Sequence, residues 1–356
     1  MGALAKNGGV VKAFITIAAI FIIFAGIKTA AYILVPFLLS LFIAIICNPL
    51  VAKASEYKVP KVISVIIVIG LFVTVALSLA GLVGKSLNEL SLLIPQYRLQ
   101  LKEQFVWLTD FLAQYNLQLS SAILLEYFDP AVAMGMAANM LSGFGSVMAN
   151  LFLIILTVVF MLFEASSFPI KLHFALDDPE MRLNQIERFL ASVNNYIAIK
   201  TMVSIATGII VSTMLWAFGL DFFLLWGVLA FLLNYIPNIG SIIAAVPAVT
   251  LAALQLGLGE AGAIGLGYML INMIMGNIVE PRYLGKGLGL STLVVFLSLI
   301  FWGWLLGTVG MLLSVPLTMI VKIAFENSPE GRWLAILLSD EAAVEQEAEQ
   351  ALSAES

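Results

Sequence analysis

The chain has 356 residues, 62% of them hydrophobic and only 11% charged, with a mean hydropathy of +1.06. Soluble domains average about 45–50% apolar and roughly 25% charged residues, so the composition excludes a single large aqueous core. The net charge of −5 is local: six acids and no base follow from Asp340 onward, whereas residues 1–339 carry 17 bases and 16 acids.

Uncharged windows at 29–52, 62–84, 147–163, 201–220, 261–279 and 287–321 reach the spanning length of about 17–25 residues. They predict an all-α polytopic membrane protein of about seven to eight transmembrane helices, with a re-entrant or broken helical hairpin and an amphipathic extracytoplasmic segment.

Residues 1–84 read as the N-terminal transmembrane helices. Lys6 and Lys12 before an apolar run resemble a signal peptide, but a second span follows at once without a clear small-residue cleavage site, so the first helix is expected to stay. A turn is expected near Lys28. Cys47, the sole cysteine, excludes an intrachain disulfide and reads as an inert packed thiol. Basic residues concentrate in cytoplasmic loops, which places the N-terminus and the Lys53–Lys58–Lys61 loop inside.

Residues 85–146 are expected outside. There Leu90, Ile94, Tyr97, Leu101, Phe105, Leu108 and Phe111 recur at spacings of three and four, which marks an amphipathic helix. Its stripe could lie on the membrane, pack on its own bundle or meet a second copy. Residues 147–325 form the expected transport core, with a cytoplasmic helical loop at 164–200 that carries Lys171, Arg182 and Arg188. His173, the only histidine, reads as a solvated loop residue.

The run 222–259 has no charged residue. It must enter and leave on one side if Arg282 and Lys286 are to face inward, which predicts a re-entrant or broken hairpin. Residues 287–321 fit either two short helices hinged near Gly307–Gly310 or one long span; the hinged form returns the acidic tail, 326–356, to the cytoplasm. Of 17 basic residues, all but Lys28, Lys85, Arg98 and Lys102 then lie inside, that is 13.

Candidate solute-binding residues gather at two interruptions. Irregular backbone survives in hydrocarbon only within protein or beside a water-filled cavity. Asn234, Pro237, Asn238 and Gly240 form such a break, which reads equally as a solute site or as a hairpin turn with asparagine caps. Asn272 and Asn277 precede Glu280, Pro281, Arg282 and Gly285. The charge pair at that helix end reads as a gate or as a positive-inside anchor with a helix cap. No carboxylate is expected deep in a span, which argues against a buried proton relay. No G-x-S-x-G or P-loop occurs, so the chain reads as no enzyme, with no cofactor or metal, and neither polar excursion suits nucleic acid.

The stretches VPFLLSLFIAIICNPL, LNELSLLIPQYR, LTVVFMLFE, LNYIPNIGSIIAAVPAV and GNIVEPRYLGKGLGLSTLVVFLSLIFWGWLLGTVGMLLSVPLTMIVKI closely resemble the autoinducer-2 exporter family across nearly the whole chain. The resemblance implies a bacterial inner-membrane permease for a small furanone-derived polyol signal, with some relatives linked to sodium/proton exchange. It also implies a homo-oligomer, a pentamer, embedded in lipid.

Overall fold

A computed structural model describes residues 2–113, 135, 149–175, 179–237, 239–284, 289–326, 328 and 331–341. The described elements are all helical. Five are long and apolar enough to cross a bilayer, namely Ala31–Glu56, Lys61–Leu90, Leu190–Ala217, Leu258–Tyr283 and Thr292–Leu312. Shorter apolar helices pack among them, and the chain is a multi-pass membrane protein.

Helices α1 (Gly2–Thr29) and α2 (Ala31–Glu56) meet at Ala30. Its φ of −82° and ψ of 1° leave helical geometry at that residue, so the turn expected near Lys28 falls at Ala30. Phe24, Ile27, Ala31, Val35 and Leu38 carry one stripe through it against a single apolar cluster. Helix α3 (Lys61–Ala113) has 53 residues, about 80 Å at 1.5 Å per residue. The boundary expected at 84/85 does not interrupt it. Polarity changes the solvent there but supplies no stop signal, and Lys85 and Glu89 pair across one turn of the helix at 3.8 Å.

Of the amphipathic stripe, Leu90 and Tyr97 pack on the protein's own bundle; the side chains of Ile94, Leu101, Phe105, Leu108 and Phe111 lie outside the described ones. Helix α4 (Leu151–Glu164) lies against α2 and α3 through Ile154, Val158 and Leu162. The segment expected as a helical loop at 164–200 has a turn at 165–167 and two helices, α5 (Phe168–Ala175) and α6 (Pro179–Ala217), the second of which runs on into an apolar span. His173 lies exposed on α5.

The rest of the chain builds two helical hairpins. In the first, α7 (Phe223–Leu233) and α8 (Gly240–Gln255) are joined by a short connection of which 234–237 and 239 are described. The ends of this hairpin meet: the Asp221 N–H donates to Gln255 Oε1 at 2.9 Å and Gln255 Nε2 donates to the Gly219 carbonyl at 3.1 Å. With 11 and 16 residues, its arms are about 17 and 24 Å long, short of the ~30 Å hydrocarbon core. The run 222–259 thus enters and leaves at one end of the bundle.

Next come α9 (Leu258–Ile274), a π-helical turn (Met275–Val279) and α10 (Glu280–Leu284). The second hairpin is α11 (Thr292–Leu312) with α12 (Ser314–Glu326). Its tip is Gly307, at φ 71° and ψ −153°, a conformation that is essentially restricted to glycine. Beyond it the chain doubles back: a Cβ on Gly310 would lie 2.0 Å from the Trp302 carbonyl oxygen. Lys322 Nζ donates to the Gly289 carbonyl at 2.8 Å and ties the base. A short α13 (Arg332–Leu338) follows, and its Leu338 carbonyl accepts the Ser291 N–H.

These ties define two ends of the bundle. Tyr97, Asp221 and Gln255 mark one: Tyr97 Oη donates to Asp221 Oδ2 at 2.9 Å. Lys200, Glu280 and the base of the second hairpin mark the other. The hairpins are therefore inserted from opposite ends.

Candidate solute site

On α6, Tyr196, Lys200, Ser204 and Thr207 follow one another at spacings of four, four and three and are all buried. They continue the apolar stripe of Val193 and Ile197 with polar groups. Lys200 Nζ lies 2.7 Å and 2.8 Å from the two Glu280 carboxylate oxygens, with 5% and 17% of the two side chains exposed. This ion pair is largely withdrawn from water, and Glu280 lies in the last turn of the span Leu258–Tyr283.

The π-helical turn puts it there. Pro281 lacks an N–H, and its ring crowds the carbonyl four residues back. The helix widens instead of stopping: the Glu280 N–H bonds the Met275 carbonyl, five residues back. One extra residue in a turn rotates the remainder of the helix by about 100°. Ile264, Tyr268 and Met275 are buried on one face of the segment, and the inserted residue brings Glu280 into the register Val279 would otherwise take. Glu280 therefore faces Lys200, while Arg282 is exposed.

The tip of the first hairpin completes the cluster. Asn234 Nδ2 donates to Ser204 Oγ at 2.9 Å, Tyr235 Oη to Thr201 Oγ1 at 2.7 Å, and Thr201 Oγ1 in turn to the Ile197 carbonyl at 2.7 Å. Pro237 serves the turn itself, since its carbonyl accepts the Ile239 N–H at 2.7 Å. Gly240 is there for space: a Cβ would lie 1.8 Å from the Leu233 carbonyl oxygen. Asn238 and Gly285 lie outside the described residues. Asn272 is half-buried on α9 and Asn277 exposed in the π-helical turn; among the described hydrogen bonds neither joins the Asn234 cluster.

Of the residues singled out in the sequence, Asn234 and Glu280 lie in this cluster, whereas Lys200, Thr201, Ser204, Tyr196 and Tyr235 were not singled out. A signal was present in the four polar residues on one face of α6, which continue an apolar stripe where a lipid-facing helix would remain apolar.

A cavity of about 200 Å³ adjoins this cluster, walled by Lys200, Tyr196 and Tyr235 and by apolar residues including Phe42, Ile43 and Pro316. That is room for six or seven water volumes of roughly 30 Å³. Lys200 and Glu280 cancel in charge. The ammonium has a third N–H beyond the two that meet Glu280, and the Tyr235 oxygen can accept while it donates to Thr201. The arrangement suits a small, uncharged, polar solute.

A second cavity, about 380 Å³, lies toward the other end and is lined by Tyr32, Val35, Asn150, Gly307 and Thr308. A further cavity, about 640 Å³, is an apolar groove between α3, α6 and α7. Its Ser212 and Thr213 hydroxyls already donate to the Phe223 and Ile209 carbonyls, so it offers little to a polar solute.

Residues 14–330 match the model of the AI-2E family transporter. The chain is 46% identical over 329 residues to the AI-2 transport protein TqsA of Escherichia coli (strain K12), covering 92% of this chain and 96% of that protein. It is 45% identical over 335 residues to a protein of Haemophilus influenzae named provisionally as a transport protein, with the same coverages of 92% and 96%. A third relative, the provisionally named transport protein YhhT of Escherichia coli (strain K12), is 42% identical over 322 residues, 90% of this chain and 92% of its own length.

Proposed function

Because the chain belongs to the AI-2E transporter family, we propose that it exports a small polar signal of the autoinducer-2 kind across the bacterial inner membrane. The observation that carries this reading is the Lys200–Glu280 pair beside the Tyr235 hydroxyl at a cavity in an otherwise apolar bundle. The name of the TqsA relative, an AI-2 transport protein, supports the signal class. Hydroxyls of a polyol would take hydrogen bonds from Lys200 and give them to Tyr235, at the tip of a broken helix as in transporters with discontinuous helices. Asn234 and Glu280 shape the site from behind these two groups.

Flux of labelled autoinducer-2 in proteoliposomes tests the reading. The native chain should show saturable flux with counterflow, which an open pore would lack. The charge-neutral double variant Lys200→Met/Glu280→Gln should lose most of it, and Tyr235→Phe a large part. Native-like flux in the double variant would overturn the site.

Glu280, half-buried and paired with the buried Lys200, also favours a second reading, in which transport is linked to sodium or proton exchange. Flux that rises with an imposed proton or sodium gradient supports coupling; indifference to both gradients leaves a facilitator. In our reading the Lys200 end and both termini face the cytoplasm, because 13 of the 17 basic residues then lie inside. The lipid-embedded protein assembles as a homo-oligomer, a pentamer, which the mass of the detergent-solubilised protein by light scattering will check.

A further inference from the structure

One face of α2 lines two cavities. Tyr32, Val35, Pro36 and Leu39 wall the cavity toward the Asp221 end, and Leu39, Phe42, Ile43 and Ile46 wall the one beside Lys200. These positions recur at spacings of one, three and four, as one helical stripe does, and run about 21 Å along the axis from 32 to 46. The second hairpin forms the facing wall of both. Leu306, Gly307, Thr308 and Val309 at its tip reach the first cavity, while Leu312, Leu313 and Pro316 of the returning arm reach the second. Leu39 is the one residue shared by the two linings.

We propose that the two cavities are halves of a single solute path along α2, closed in this structure by Leu39. The half beside Tyr32, Asn150 and Thr308 is then a second solute site, for a small, uncharged, hydroxylated molecule. The proposal rests on the transport reading above and adds to it a route, a closing residue and a site on the far side.

The two walls differ in how they are held. At the level of Leu39, the neighbouring Ser40 hydroxyl is bonded to the Pro36 carbonyl at 2.7 Å and to the Ile154 carbonyl of α4 at 3.2 Å, so α2 is tied to α4. The facing segment 308–312 lies between two departures from helical geometry, Gly307 at φ 71° and Leu313 at φ −94° and ψ 6°. On the wall facing Leu39, that short segment is the one bounded by a hinge at each end. The lining sets the solute class. No charged side chain borders the cavity toward the Asp221 end; its polar groups are a phenol, an amide and a hydroxyl. A charged solute would lose its hydration there without a partner.

The test uses the full-length protein. Cys47 packs in the α2–α3–α4 cluster, off the stripe, so Cys47→Ala provides a cysteine-free background. Val35→Cys and Ile43→Cys are then introduced singly, and a membrane-impermeant methanethiosulfonate is applied to right-side-out and to inverted vesicles. Val35→Cys should label in one orientation only and Ile43→Cys only in the other. Adding Leu39→Ala should raise labelling from the opposite side severalfold, whereas Leu39→Met, similar in volume, should keep the sidedness.

Labelling of both cysteines from the same side, no labelling of either, or unchanged sidedness in Leu39→Ala would overturn the path. Protection of Val35→Cys by autoinducer-2 but not by a sugar phosphate supports the solute class; protection by the phosphate, or by neither, overturns it. Sidedness needs no solute, so one-sided labelling without flux in the proteoliposomes would refute the transport reading while leaving the path intact.

Discussion

Removing one partner of the Lys200–Glu280 pair strands the other charge where little of its side chain meets water. Such truncations cost about 3–5 kcal/mol, whereas replacing both partners by neutral groups costs far less. Lys200→Met and Glu280→Gln should each lower the unfolding temperature in detergent, and the double variant should recover most of the loss; additive losses would show that the two are uncoupled. Tyr97 gives a second prediction, outside the spans. Burial first, then the hydrogen bond and charge of Asp221, push its phenol well above the ordinary range. The phenol therefore contributes stability that is fully present below the unfolded pKa of about 10 and is lost as pH rises beyond it. Unfolding midpoints of the native protein should fall above that pH more steeply than those of Tyr97→Phe, which should itself lose about 1.5–3 kcal/mol at neutral pH. At this scale the sequence was half legible. Glu280 stood out as a charge beside a proline, but its partner lies 80 residues away. Only the extra residue of the π-helical turn aims it there, and no local pattern announces that.

The two hairpins depend on glycine for different reasons. Gly240 and Gly310 sit where a Cβ would meet backbone, at 1.8 Å from the Leu233 carbonyl oxygen and 2.0 Å from that of Trp302. Because carbonyls cannot rotate aside as a side chain can, Gly240→Ala and Gly310→Ala should each cost about 1–3 kcal/mol or more through overpacking. Gly307 has open space around its missing Cβ but a dihedral pair that other residues avoid, so Gly307→Ala should cost about 1–3 kcal/mol through backbone strain alone. Thermal unfolding of the three variants checks both values, and native stability in Gly240→Ala would refute the close-packed turn. The hairpins were readable because an uncharged run broken by asparagine, proline and glycine has few ways to keep its ends on one side. Helix continuity was not. The charges after Gly84 signalled a boundary, yet α3 runs straight through, since polar residues with good helix propensity do not end a helix; in α6 the apolar stripe of 181–197 did lead into the span.

Across the whole molecule, three apolar clusters divide the labour. One holds the first hairpin with α6, α9 and the far part of α3; a second gathers α2, α6, α11 and α12 around the candidate site; the third joins α2, α3 and α4. The site lies where the first two clusters approach each other, at the tip of one hairpin and the returning arm of the other. That assembly cannot be read from any one window of sequence. Helix α3 alone belongs to both the first and the third cluster, through Leu90 and Tyr97 and through Val65, Val68 and Ile69. From Ile69 to Ala113 it is one continuous helix with a length of about 65 Å along its axis. If the first hairpin shifts against the α2–α4 support during a transport cycle, the helix becomes a lever, and a 5° swing about Ile69 would displace its Ala113 end by about 6 Å by the same geometry. Spectroscopic labels at that far end would magnify a motion too small to resolve at the site itself.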